Sequence, residues 1–134
     1  MILISGLCAK YFDNCEIIEM HHENKKDAPS GTAIATSRTI GKNVIYNNQR
    51  LKADEKETIE GSRGCFTEGV HIHSIRLPGL LAHQSVIFGS KGQTLTIKHD
   101  SIDRSSFYPG LILAIRSIDN LPNFTYGLEA LIKL

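Results

Sequence analysis

The sequence predicts an α+β fold: a mixed, largely antiparallel sheet with flanking helices. Three observations carry this. Apolar residues alternate with a period of two over 69–76 and recur in short runs over 83–89 and 93–99. They return at helical spacing over 31–42 and 104–118. Turn chemistry at Asp13-Asn14, Pro78-Gly79 and Ser90-Lys91-Gly92 separates the segments.

Taken in order, residues 2–10 (ILISGLCAK) read as the end of a helix or a short buried strand, with Gly6 weakening either. Residues 15–21 (CEIIEMH) form a strand in which Ile17, Ile18 and Met20 can bury. Residues 22–30 hold almost nothing to bury and make a loop. Ser30 is the expected N-cap of a helix whose inner face is Ala33, Ile34, Ser37 and Ile40, ended by Gly41. Residues 43–68 are polar and irregular, a solvated loop or weakly formed strand. In 69–76, Val70, Ile72 and Ser74 share one side, and His71, His73 and Ile75 the other. Strands 83–89 and 93–99 make a hairpin. The strongest helix is 104–118, with Phe107, Leu111, Ala114, Ile115 and Ile118 in register and Pro109 in its first turn. The tail GLEALIKL adds a helical turn or two.

The chain has 134 residues, the size of one domain, so 1–134 is expected to be a single unit. Fifteen Lys+Arg against fourteen Asp+Glu leave a formal charge of +1, which is no footprint for nucleic acid or an anionic membrane. No apolar run approaches the ~20 residues that span a bilayer. The opening MILISGLCAKYF lacks a basic stretch and a small-residue cleavage site. Cys8, Cys15 and Cys65 are odd in number and widely spaced, which suits a reducing cytoplasm. No strand–GxGxxG–helix unit is present; Gly61 and Gly64 come nearest, and no helical period follows them. By itself the chain is expected to contribute no cofactor-binding residue of that kind.

The chemistry concentrates in His21-His22-Glu23-Asn24-Lys25-Lys26-Asp27-Ala28-Pro29-Ser30-Gly31-Thr32-Ala33. Two imidazoles end a strand, a polar loop follows, and a helix then begins. Pro29 fixes its own φ and holds Ala28 extended, giving the chain a defined entry into the helix. The first amides of that helix, near Gly31 and Thr32, are unpaired donors at the positive end of its dipole. Gly31 admits a ligand close to the backbone, and Thr32 adds a hydroxyl. This suits a carboxylate or phosphate. Lys25 can bring a full positive charge, and His21 or His22 a proton near neutral pH. Taken singly, a Ser-Gly-Thr helix start is more often only a cap, and a histidine pair only hydrogen-bonded. Their crowding into thirteen residues is what makes the stretch specific.

EIIEMHHENKKDAPSGTA resembles the signature of the dihydrodipicolinate reductase (4-hydroxy-tetrahydrodipicolinate reductase) family, E-x-H-H-x-x-K-x-D-A-P-S-G-T-A. The resemblance continues through HSIRLPGLLAHQSVIFGSKGQTLTIKHDSIDRSSFYPGLILAIRSI and the final TYGLEALI. It implies the family's C-terminal, substrate-binding and tetramer-forming domain. Family members carry a dinucleotide-binding Rossmann domain before this region, and here that domain is expected to be missing. NADPH or NADH would be bound there. The resemblance makes His21 and Lys25 the catalytic pair, either of which could deliver the proton. It gives His22, Gly31 and Thr32 to the substrate, a small cyclic dicarboxylate. The implied reaction is hydride transfer to a conjugated C=C–C=N system, then protonation, in diaminopimelate and lysine biosynthesis in the cytoplasm. A non-catalytic oligomerisation or dicarboxylate-binding module of the same fold is the alternative.

His71 and His73 share one strand face, but no third ligand is near, so no metal is expected and a paired surface or interface role is favoured. Arg76 and Arg104 could bind an anionic ligand or pair with Asp100 and Asp103, and structural pairing is favoured. Val86, Phe88, Leu95 and Ile97 suggest an apolar sheet face closed by other subunits, a homotetramer. Cys65 has no base beside it in sequence and no claim to be a nucleophile.

Overall fold

A computed structural model describes residues 1–46, 56–122 and 124–132. Helix α1 (Ile2–Ala9) takes the helical option left open at the start of the chain. Strand β1 (Asn14–His21) follows, then α2 (Gly31–Asn43), β2 (Cys65–Thr67), β3 (Val70–Arg76), β4 (Ala82–Ser90), β5 (Gln93–Ser101) and α3 (Tyr108–Ser117). A 3₁₀ turn, Arg104–Phe107, precedes α3, and two more occupy Ile118–Asn120 and Leu128–Leu131. The chain divides into two compact units, Met1–Asp100 and Ser101–Leu134.

The five strands make one mixed sheet in the order β2-β3-β1-β4-β5. β1 is central, parallel to β3 and antiparallel to β4. The parallel pair needs a long crossover, and α2 and the segment after it supply one. Turning from β4 into β5 uses Gly92, whose φ of 79° suits a residue without Cβ. Cys15 and Ile17 of β1, Val70 and Ile72 of β3, and Val86 and Phe88 of β4 form the core with Ala9, Ala33 and Ile40 of the two helices. Burying such side chains stabilises the fold by roughly 1.5–3 kcal/mol each.

Several expectations change. Gly41 does not end α2, which runs to Asn43. A Cβ at Gly41 would stand 3.0 Å from Cβ of Glu68, so the glycine is a close-approach point inside the helix. Thr36, not Ile34, completes the buried face of α2. Ile18 and Met20 are only half-buried, because strand alternation turns them away from the helices while Cys15, Ile17 and Glu19 turn inward. Within 43–68, Tyr46 is a core residue that donates its hydroxyl to the Ala9 carbonyl at 2.9 Å, and Cys65–Thr67 is a strand; residues 47–55 lie outside the described ones. Val86 and Phe88 are covered by the helices, and Ile97 packs against the same core. Those three therefore offer no open face, while Leu95, the fourth residue of the predicted face, is exposed. In the second unit, α3 forms at its predicted place and buries none of its residues.

Candidate functional site

The layer between sheet and helices changes character along the strands. Residues paired across a sheet share a face, so the register groups them in rows. Ile17 stands beside Ile72 and Val86, an apolar row. Two residues on, Glu19 stands beside Ser74 and Gln84; two further, His21 stands beside Arg76 and Ala82. The core is thus apolar toward the start of β1 and polar at its end, where α2 begins.

Glu19 is wholly buried. Its Oε2 lies 2.6 Å from His21 Nδ1 and accepts from Arg76 Nη1 at 2.9 Å. Its Oε1 accepts from Arg76 Nη2 at 2.8 Å and from the Ser30 N–H at 3.2 Å. Burial alone would raise this carboxyl, but hydrogen bonds from Arg76, Ser74 and His21, with the Arg76 charge, bring it below its ordinary value. One ionised side chain therefore ties together the ring of His21, the end of β3 and the residue that caps α2. Beside it, Gln84 donates from Nε2 to Thr36 Oγ1 at 2.9 Å, fixing β4 to the same helix.

The loop before α2 joins this network. Arg76 Nη2 also donates to the Asp27 carbonyl at 2.8 Å. The Asp27 carboxylate accepts from Lys25 Nζ at 2.7 and 2.9 Å, and this ammonium is the main reason its carboxyl lies below the usual range. An ammonium has three donors, so one carboxylate does not exhaust it. The Ala28–Pro29 peptide is cis, and Ser30 Oγ accepts from the Ala33 N–H at 3.2 Å, the predicted cap. The amides of Gly31 and Thr32 precede any helical acceptor, and a Cβ built at Gly31 would meet nothing within 4 Å. Gly31 and Thr32 are exposed, so the corner is open to a ligand.

Of the five residues predicted for the site, His21 and Lys25 are joined through Glu19, Arg76 and Asp27, and Gly31 and Thr32 directly follow Ser30, whose N–H the same Glu19 accepts. His22 enters only through its carbonyl, which accepts the Lys25 N–H at 3.1 Å. Glu19 is the residue that sequence reasoning missed, and Arg76 was singled out with the wrong partner. A carboxylate two places before a histidine on a strand was a usable signal, since the two must share a face. An open groove of about 470 Å³ runs beside Pro29, Gly64, Cys65 and His73, and holds none of the five.

Arg76 thus pairs with Glu19 rather than with Asp100 or Asp103. Asp100 instead accepts from His83 Nδ1 at 2.8 Å and Lys98 Nζ at 2.7 Å. Asp103 caps its 3₁₀ turn by accepting from the Ser105 N–H, and among the described residues Arg104 makes no salt bridge with either. His71 is buried with Nδ1 2.7 Å from the Arg63 carbonyl and its ring against Phe66. His73 meets Glu16 Oε2 at 2.7 Å. The two histidines have separate partners because β2 covers the first and β1 supplies the carboxylate for the second. Among the described residues no group of three or more His, Cys, Asp and Glu is arranged to hold a metal. Nor is any helix long and apolar enough to cross a membrane.

Fold and site together define an α+β domain with an open helix-start corner and a carboxylate-held histidine at one end of its sheet. The sequence profile of "Dihydrodipicolinate reductase, C-terminus" matches residues 1–132. The chain is 56% identical over 132 residues to a 4-hydroxy-tetrahydrodipicolinate reductase of Streptococcus gordonii, covering 98% of this chain and 51% of that protein. It is 50% identical over 134 residues to that of Lactococcus lactis, covering 100% of this chain and 51% of the relative. The solved dipicolinate-bound dihydrodipicolinate reductase from Paenisporosarcina sp. TG-14 superposes with a TM-score of 0.87 at 45% identity, over 98% of this chain and 49% of that one. The chain belongs to the dihydrodipicolinate reductase C-terminal family, and it spans about half the length of the curated relatives it matches.

Proposed function

We propose that this chain is the substrate-binding, proton-supplying part of an enzyme that reduces 4-hydroxy-tetrahydrodipicolinate to tetrahydrodipicolinate with NAD(P)H, a cytoplasmic step of diaminopimelate and lysine biosynthesis. The observation that carries the reading is one buried carboxylate, Glu19, bonded both to His21 and to the residue capping the open end of α2. A ring dicarboxylate takes the Gly31 and Thr32 amides, the Thr32 hydroxyl and the Lys25 ammonium as donors, with His22 at its edge. Charge-assisted hydrogen bonds of this kind are about twice as strong as neutral ones. His21 and Lys25 are the two groups within this arrangement able to give a proton. The dicarboxylate in the Paenisporosarcina relative supports the same ligand class.

The family implies a nicotinamide cofactor, and the described residues do not fit one. The loop from β1 to α2 offers a single glycine at a Ser-Gly-Thr corner and no glycine-rich turn to cradle a pyrophosphate. No part of the hydride step is assigned to this chain. A homotetramer belongs to the same proposal, built on a different face from the predicted one. Both helices of Met1–Asp100 lie on the inner side of the sheet, while Ile18, Met20, Ile75 and Ile87 point to the other.

Calorimetric titration with pyridine-2,6-dicarboxylate tests the site. Lys25→Ala and Thr32→Val should each weaken binding about tenfold, or ~1.4 kcal/mol. His21→Gln should leave binding within about threefold. Unchanged affinity in both of the first two variants would remove the corner from the reading. Oligomers without dicarboxylate affinity would favour the non-catalytic assembly module.

A further inference from the structure

We infer that Glu19, clamped by Arg76, is a positioning residue that holds His21 with Nδ1–H turned inward and leaves Nε2 as the atom that exchanges a proton. This rests on reading His21 as a proton donor. The argument counts lone pairs. A carboxylate offers about four acceptor sites. Oε2 takes Arg76 Nη1 and His21 Nδ1, and Oε1 takes Arg76 Nη2 and the Ser30 N–H, with the Ser74 hydroxyl a further donor beside these four. Three of these four partners are donors by necessity, two from a guanidinium and one from an amide. A carboxylate so occupied, fully buried and facing a permanent positive charge, is ionised and has no proton to give. The hydrogen in the 2.6 Å contact therefore belongs to His21 Nδ1.

Two consequences follow for the ring. When neutral it carries its hydrogen on Nδ1 and a bare lone pair on Nε2. When protonated, the extra proton sits on Nε2, and on transfer to a substrate atom the electron pair of that N–H bond stays on Nε2. The Nδ1–H bond to Glu19 persists through the step and fixes the ring orientation. Because the same carboxylate bonds the Ser30 N–H, the ring and the start of α2 are set relative to each other by one group. A glutamate present only to neutralise Arg76 would leave the tautomer of His21 unconstrained.

The test is spectroscopic and needs no turnover. Long-range ¹H–¹⁵N correlation at pH 8 distinguishes the two nitrogens of each ring, and the His21 signals are those missing in His21→Gln. The unaltered 134-residue chain should show His21 with a protonated Nδ1 and an unprotonated Nε2. Glu19→Gln should move the ring to an Nε2–H form or a mixture. Lys25→Ala, which weakens pyridine-2,6-dicarboxylate binding, should leave the tautomer unchanged. An Nε2–H ring or an averaged pair in the unaltered chain overturns the inference, as does an Nδ1–H ring that survives Glu19→Gln. If Glu19→Gln does not fold, the spectrum of the unaltered chain still decides. Failure of the site reading is separate: it shows as unchanged dicarboxylate affinity in both Lys25→Ala and Thr32→Val, whatever the tautomer.

Discussion

A carboxylate with no solvent exposure stabilises a fold only when its charge is fully answered. Glu19 meets that condition with two bonds from Arg76, one from His21 and one from a backbone amide. Removing the charge leaves Arg76 facing an amide, so Glu19→Gln should destabilise the chain by about 3 kcal/mol at pH 7, read by urea denaturation. The pH dependence has a definite sign. The folded carboxyl lies below the ordinary 4.5, so its contribution is present above that value and is lost as pH falls through the lowered one. Glu16 is lowered as well: burial raises it, and bonds from His73 and Arg63 outweigh that. Stability should therefore drop steeply below about pH 4.5, and Glu19→Gln should flatten the drop. An identical pH profile in the variant would show that Glu19 is not the group responsible.

At the scale of the element, α2 carries both the site and much of the packing. Its N-cap works locally: Ser30→Ala should cost about 1 kcal/mol and loosen the Gly31–Thr32 corner, lowering dicarboxylate affinity along with thermal midpoint. Its far half packs against α1. A Cβ at Gly6 would approach Thr39 Cγ2 to 2.7 Å, and Thr39 is held by its own hydroxyl bond to the Ala35 carbonyl at 3.0 Å. Gly6→Val should cost about 1–3 kcal/mol through forced separation of the helices, although valine outranks glycine in helix propensity. A gain in stability would mean that the helices separate without cost. Gly6 weakens a helix in isolation and permits one in this contact.

At the scale of the molecule, the first unit is a sheet covered by helices on one face. Phe88 anchors it, fully buried with its ring centroid 5.5 Å from that of Phe12, so Phe88→Ala should cost about 3–5 kcal/mol. The other face points Ile18, Met20, Ile75 and Ile87 away from both helices. Light scattering should return a tetramer, and Ile18→Glu should shift it to smaller species. A monomer at every concentration would end the assembly reading. The second unit, Ser101–Leu134, is small, with Leu111 and Ile115 exposed on α3 and Ile118 exposed in the turn that follows it.

Sequence by itself determined the parts whose physics is local. The period of two placed β3, the Ser-Gly-Thr start fixed the cap of α2, and the density of charge and imidazole over residues 21–33 marked the site, because side-chain type and backbone geometry within a turn suffice for each. Only the tertiary structure decided what depends on neighbours distant in the chain. Arg76 found Glu19 across 57 residues, since a parallel register is set by a crossover and not by spacing. Gly41 lies inside a helix at a point where Glu68 comes close to it, and Val86 and Phe88 belong to the covered face because α1 and α2 pack on that side. Burial turned a glutamate that reads as one more surface charge into the group that joins a histidine to the start of α2.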